Sequence, residues 1–383
     1  MFNFDKPRIS ETKRENISFT RKYNRSNNNA IIIGGIGCGK SLAMKKMIRD
    51  DHDYHGNNMQ QFIVHTSEDT YEDVMGSIGG LSIIISPENT ALTINPLYYT
   101  RFDSWNTLVH KSTVNMKTNY IVNIIEIILD RSLSASEKEI LSKCMSLIMR
   151  IELTKNCTLK DLYNCLLDEY DKGFDVTEIL SALDELKDMW PNVWDKEDTN
   201  IGSFGECATI NYRFVIDTKF RDKRIAAIEM LVLYETLLQI FVRNGYCNKY
   251  KTSVYINNID DMLSDKIVTN TGAEVVLSYI NSELMKRARQ FYAGIIVSVT
   301  NIEDGTLSDE ILCINNYCSY NLLLHNSDQM LALVKQLYRL SQFQIEQIDE
   351  EHVVKPGDGL WYMGENRWLP VKVNLDYHYG YVS

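Results

Sequence analysis

One short segment has residue types and spacing that could do chemistry: Gly34-Gly-Ile-Gly-Cys-Gly39-Lys40-Ser41. It fits G-x-x-x-x-G-K-[ST] without adjustment. Glycines let successive backbone N–H groups curl around phosphate oxygens. A helix that begins there adds the positive end of its dipole. Gly34, Gly35, Ile36, Gly37, Cys38, Gly39, Lys40, Ser41 and Leu42 would form the cradle. Lys40 would reach the β- and γ-phosphates, and the Ser41 hydroxyl would ligate Mg²⁺. The expected ligands are ATP and Mg²⁺. The bland alternative is a tight strand–helix turn that binds nothing.

Such a loop works with a second strand that ends in an acid holding Mg²⁺ through water, often followed by a Glu that polarises the attacking water. Two segments compete. Arg213-Phe-Val-Ile-Asp217 ends in an acid, but Thr218 follows. Ser253-Val-Tyr-Ile-Asn257-Asn258 is better placed by the helix signals after it, yet both key positions are Asn. Asn257 could still hydrogen-bond a metal-bound water. Neither Asn257 nor Asn258 carries charge or can act as a base. Asp260 and Asp261 point elsewhere if Ile259 continues the strand, and could substitute if the strand ends early.

The elements that must position these groups follow from the hydrophobic pattern. Ala30–Ile33 is a β-branched run and reads as a buried strand before the loop, with a helix over Leu42–Arg49 after it. Phe62–Val64 and Ser82–Ser86 read as further strands. Residues 97–205 carry helical periodicity and no convincing strand. Ser134-x-x-Glu137, Thr158-x-x-Asp161 and Asp175-x-x-Glu178 look like capping boxes or their Asp variant. Ile179, Leu183, Leu186 and Trp190 follow at helical spacing. Strand signals return at Arg213–Asp217, Ser253–Asn257, Ala293–Thr300 and Tyr320–Leu324, with helices at about 222–244 and 272–290. Gly359–Met363 and Arg367–Val373 flank a hairpin turn at Gly364-Glu-Asn366. Strands alternating with helices imply an α/β fold with a mostly parallel sheet. The predicted organisation is an irregular lead-in at 1–28, an α/β nucleotide-binding unit at 29–96 and 206–383, and a helical insertion at 97–205.

Composition bounds the partners. The 383 residues hold 40 Lys and Arg against 51 Asp and Glu, a net charge of −11. That argues against a uniform nucleic-acid coat, since binding phosphate backbones by counterion release needs a positive surface. Residues 151–200 hold 13 acids and 5 bases, so they supply −8 of the charge. The rest of the surface is nearly balanced, which leaves a local DNA contact open but unsupported. Ala226–Val242 is the most apolar long window. It contains Glu229 and Glu235 and reads as a buried helix. The N-terminus has no apolar signal core. Eight Cys without a Cys-x-x-Cys pair read as reduced, structural residues of a cytosolic protein. No His-x-x-x-His pair points to a metal site.

Taken together, the motifs resemble the ATPase domain of the conjugative-transfer ATPases of type IV secretion systems (the VirB-four/TraC-like family). Asn27-Asn-Asn-Ala30 is similar to the Asn-rich turn before the family's phosphate loop. Thr66-Ser-Glu68-Asp-Thr-Tyr71 keeps only Glu68 and Tyr71 of an Asp-Pro-Glu-x-Glu-Tyr motif. Asn95-Pro96-Leu97, Thr158–Tyr163, Lys286-Arg287-Ala-Arg289-Gln-Phe-Tyr292, Thr300-Asn301 and Pro356-Gly-Asp-Gly359 with Pro370-Val-Lys-Val resemble later motifs in the same order. Only the phosphate loop is specific by itself. The family's large N-terminal domain has no counterpart, so the chain reads as a short homologue, a split subunit or an excised domain.

The resemblance implies a RecA-like P-loop fold with an inserted all-helical subdomain and a C-terminal β-hairpin. It implies a hexamer or dimer that works with membrane channel proteins at the cytoplasmic face of the cell membrane. The implied work is ATP-driven assembly of the channel or transfer of DNA or protein through it. It assigns Asn257 and Asn258 to the Mg²⁺ and water-activating positions, which puts hydrolysis in doubt. A hydrolytically weak scaffold subunit and a DNA translocase or packaging ATPase are the competing readings. Arg287 and Arg289 are candidate trans-acting arginine fingers, or a solvated basic helix end. Asn301 could sense the γ-phosphate or merely cap a strand. Glu68 could orient water or metal. The aromatic tail (Trp361, Tyr362, Trp368, Tyr377, Tyr379, Tyr381) could stack on nucleobases, but reads better as packing and a subunit surface.

Overall fold

The computed structural model describes residues 18–19, 27–66, 71–85, 94–99, 107–149, 156–196, 211–216, 222–247, 250–300, 313–349, 355–362 and 368–373. Among these residues, nine strands form one sheet: β1 (Ala30–Ile33), β2 (Met59–Thr66), β3 (Gly80–Ile85), β4 (Asn211–Ile216), β5 (Lys251–Ile256), β6 (Ala293–Val299), β7 (Tyr320–Leu324), β8 (Asp358–Tyr362) and β9 (Trp368–Lys372). Their order is β3-β4-β2-β5-β6-β1-β7-β8-β9. The first seven in that order run parallel, while β8 and β9 add antiparallel strands at one edge.

The central strands read as apolar runs because both faces are covered. Ala30 and Ile32 face one core cluster with Met44, Met47 and Ile48 of α1 (Lys40–His55) and Val74 and Met75 of α2 (Glu72–Ser77). Ile31 and Ile33, one residue out of phase, face the other cluster. That second cluster is built on helices. Between β3 and β4 come α3 (Thr107–Leu129), α4 (Ala135–Ile148), α5 (Leu159–Asp171) and α6 (Thr177–Met189). Then follow α7 (Lys223–Cys247), α8 (Ile259–Met262) and α9 (Asn270–Tyr279), the last continuing as a π-helical segment Ile280–Met285. The segment Lys223–Gly245 is long and apolar enough to cross a membrane, but 94% of its most apolar window is buried. Its apolar length therefore serves the core, packed between α3, α9 and β5.

The expected strands and helices are present within a few residues, with three instructive departures. β5 stops at Ile256, one residue before Asn257. The helix expected at 272–290 is α9, a π segment and two short turns. The boxes at Ser134/Glu137 and Thr158/Asp161 close reciprocally, but the one expected at Asp175/Glu178 does not. Helix α6 starts at Thr177 with Val176 at its cap, so Asp175 lies one residue too early, and Glu178 pairs with Arg131 instead. The turn at Gly364-Glu-Asn366 lies outside the described residues.

Candidate functional site

The phosphate-loop sequence sits where β1 ends and α1 begins, at the carboxyl edge of the parallel strands. Ligands of open α/β sheets bind at this edge. Neighbouring strands hold the loop from both sides. Gly34 N–H donates to Val299 O of β6 (3.2 Å), and Gly35 N–H to His325 O just after β7 (3.0 Å). Lys40 Nζ donates to Gly34 O and Gly35 O, 2.9 Å each, so the ammonium lies inside the loop. Ile36 at the tip is 91% exposed, leaving the outer rim of the cradle bare. Burial pushes the Cys38 thiol up, with Lys40 pulling weakly against it, so it stays protonated near neutral pH.

The C-terminal hairpin braces this loop, a contact no motif announced. Gly357 N–H donates to Cys38 O (2.8 Å), and Val373 N–H returns to Gly357 O (2.8 Å). Gly39 has φ 100°, and a Cβ there would stand 2.6 Å from Gly357 N. Gly39→Ala is therefore expected to cost about 1–3 kcal/mol of stability through strain alone. It should also weaken nucleotide binding, as read by thermal melts and by titration with a fluorescent ATP analogue. Unchanged melting would show that the brace yields freely. The Pro356-Gly-Asp-Gly359 run was the available signal for this turn.

The second strand of the site is β5. Because β6 lies between β5 and β1, Asn257 and Asn258 stand one strand away from the loop's own strand. Asn257 is 1% exposed, and its N–H still donates to Val64 O of β2 (3.0 Å). Ser298 Oγ on β6 donates to Asn257 Oδ1 (3.0 Å) and accepts from Asn258 N–H (2.7 Å). Asn258 takes the left-handed conformation, φ 47° and ψ 62°. Thr300 Oγ1 lies 3.3 Å from Asn258 Oδ1. Ile259 does not extend the strand; it opens α8. Asp260 Oδ1 then accepts from Thr300 N–H at 2.9 Å, while Asp261 is exposed. Asp260 and Thr300, both singled out in the sequence, meet here because β5 ends early, while Ser298 joins the site through β-sheet register, which sequence spacing does not display.

Arg287 and Arg289 lie just before β6 begins, at the opposite edge of the sheet from the loop. They cannot serve their own phosphate loop. Arg287 Nε pairs with Glu283 Oε2 (2.8 Å), and its Nη1 approaches Met116 Sδ (3.2 Å); Arg289 is exposed. Asn29 also belongs to that far edge. Its side chain joins Ile295 N, Met285 O and Tyr317 O, tying the starts of β1, β6 and β7 together. Trp361 packs against Phe19 and Tyr320, and Trp368 against Tyr338 and Tyr362. Glu68, Asn301, Asp217, Thr218, Tyr377, Tyr379 and Tyr381 lie outside the described residues.

No family model matches the chain, and no curated protein matches it by sequence. Solved structures do. VirB4 of Thermoanaerobacter pseudethanolicus aligns over 90% of this chain and 89% of its own, with a TM-score of 0.64 at 15% identity. The fold is that of VirB4. The plasmid coupling protein TrwB, bound to the GTP analogue GDPNP, aligns over 94% of this chain and 90% of its own, with a TM-score of 0.55 at 13% identity. TrwB with ADP and Mg²⁺ aligns over 91% of this chain and 85% of its own, with a TM-score of 0.54 at 11% identity. The RecA-like P-loop architecture expected from the motifs is thus the fold present.

This chain's own residues fit a nucleotide. The loop supplies a cation held by two carbonyls, a glycine backbone that a Cβ would obstruct at Gly34 and Gly39, and a half-buried Ser41 at the start of a helix of 16 residues. A bound magnesium would take the Ser41 hydroxyl as its protein ligand and supply charge neutralisation at the phosphates. Asn257 fits that role less well, because Ser298 already engages its side-chain oxygen.

Proposed function

We propose that the protein is an ATP-binding subunit of the type IV secretion or conjugation kind, using nucleotide to drive assembly of, or transfer through, a membrane channel. The observation that carries this reading is the braced phosphate loop at the carboxyl edge of a sheet whose whole fold is shared with VirB4. The proposed partners are further copies of the chain, as a hexamer or dimer, and channel proteins at the cytoplasmic face of the membrane. Arg287 and Arg289 lie at the edge away from the loop, so an arginine-finger role for either would require the nucleotide of a neighbouring copy.

The Asn pair favours a second reading, a subunit that binds nucleotide and turns it over slowly. With Asn257 and Asn258 both hydrogen-bonded to Ser298, neither residue at the water-polarising position on β5 is a base. Slow, Lys40-dependent ATP hydrolysis is the expected result. Asn257→Asp with Asn258→Glu should raise it, up to the roughly 10²–10⁴-fold that a positioned general base supplies. Steady-state phosphate release from the parent, the double variant and Lys40→Ala tests this. Brisk turnover by the parent would defeat the slow-subunit reading. Absence of nucleotide binding altogether would defeat both.

A further inference from the structure

A phosphate loop works with an acid that holds the magnesium of its nucleotide, and the Asn pair does not provide one. We propose that Asp260 supplies the carboxylate that receives the magnesium of the bound nucleotide, in place of Asn257 and Asn258. This deepens the nucleotide-binding reading and rests on it.

The register makes the case. Ile256, the last residue of β5, pairs with Val297, whereas Ile33, the last residue of β1, pairs with Val299. β6 thus runs two residues past β5 to reach the level of the phosphate loop. Val299 O holds Gly34 N–H, and the next peptide N–H along β6 belongs to Thr300. Asp260 Oδ1 accepts from that N–H at 2.9 Å. Its carboxylate therefore stands at the level of the loop along the sheet, on the β5 side of β6, because Val299 O of the same peptide is turned toward β1.

The chain reaches this arrangement by an early turn. β5 stops at Ile256, Asn258 turns left-handed, and the α8 turn brings Asp260 to the end of β6. The two Asn side chains, meanwhile, close a hydrogen-bonded set on Ser298. Among the described side chains at this corner, Ser41, Asn257, Asn258, Ser298 and Thr300 are neutral; of the two acids on the α8 turn, Asp260 is the one bonded to the end of β6, while Asp261 is exposed. A hard dication selects oxygen ligands and favours charged ones. Moving the acid three residues along the chain preserves that chemistry while leaving the strand-end position neutral.

The test separates this role from strand-end capping. Asn at position 260 can still accept from Thr300 N–H but carries no charge. The full chain is titrated with a fluorescent ATP analogue in magnesium and in EDTA, and bound Mn²⁺ is read by electron paramagnetic resonance. The parent should bind nucleotide more tightly with magnesium. Asp260→Asn should erase most of that gain, weakening metal binding by roughly 10–100-fold, with EDTA affinity and melting temperature unchanged. Asp261→Asn should keep the gain. Asn257→Asp added to Asp260→Asn should restore part of it. An undiminished gain in Asp260→Asn, or no gain in the parent, overturns the assignment while leaving nucleotide binding intact. A parent that binds no nucleotide in either buffer overturns the functional reading itself.

Discussion

Lys40→Ala should remove nucleotide binding while leaving the fold in place. The ammonium is buried inside the loop and donates to two of its carbonyls. In the nucleotide complex those donors would turn to the phosphates, a charge-assisted contact in a partly desolvated site. Truncating one partner of such a pair typically costs about 2–5 kcal/mol, or roughly 30-fold to several thousand-fold in affinity. Fluorescent-nucleotide titration reads the loss directly. The loop itself should survive, because Val299 O, His325 O and Gly357 N hold it without the lysine. Thermal melts of the variant, alone and with saturating ATP, separate the two effects. The parent should gain melting temperature with ATP by mass action, and the variant should not. A variant that binds ATP as tightly as the parent would show that the cradle is not the nucleotide site.

The loop was legible because its chemistry is local. Strand, glycines, lysine and helix start lie within one short stretch, and their spacing alone fixes which N–H groups converge. The β-branched runs of β1, β5 and β6 were legible for a similar reason, since buried strands need continuous apolar residues. What surrounds the loop was not legible. The brace by Gly357 joins residues more than 300 positions apart, and nothing in the spacing of either segment encodes the other. The fate of Asn257 and Asn258 turned on a single residue of strand length. Had β5 run on through Ile259, Asp260 would have pointed away from Thr300. The left-handed turn at Asn258 is a conformation Asn tolerates better than most residues, so the Asn-Asn pair did carry a weak signal of the kink. The edge on which Arg287 and Arg289 fall was legible, since they precede a parallel strand whereas the loop follows one; their contacts with Glu283 and Met116 were not.

The second large effect concerns a buried pair that no motif marked. Lys117 on α3 and Glu235 on α7 lie 2.5 Å apart and are 1% and 3% exposed. Lys117 also donates to Pro96 O (3.1 Å), while Gln239 and the Tyr279 phenol donate to Glu235. Burial, and the charge of Glu235 beside them, push the Tyr120 and Tyr279 phenols well above their ordinary values, so Tyr279 stays a proton donor across the working pH range. The cluster joins the helices between β3 and β4 to the helices that follow β4 and β5. Lys117→Met should destabilise the protein by about 3–5 kcal/mol, because it strands the Glu235 charge in the core. Urea denaturation of parent and variant measures this. Adding Glu235→Leu should recover only part of the loss, since the Tyr279 hydroxyl then has no acceptor at a cost of about 1–3 kcal/mol. Adding Tyr279→Phe as well should recover more, because apolar side chains of similar volume replace the whole set. That order of recovery distinguishes a charge stranded in the core from a simple packing defect, which each further substitution would deepen. If Lys117→Met costs less than about 1 kcal/mol, water reaches Glu235 and the two layers of helices are not locked by this pair.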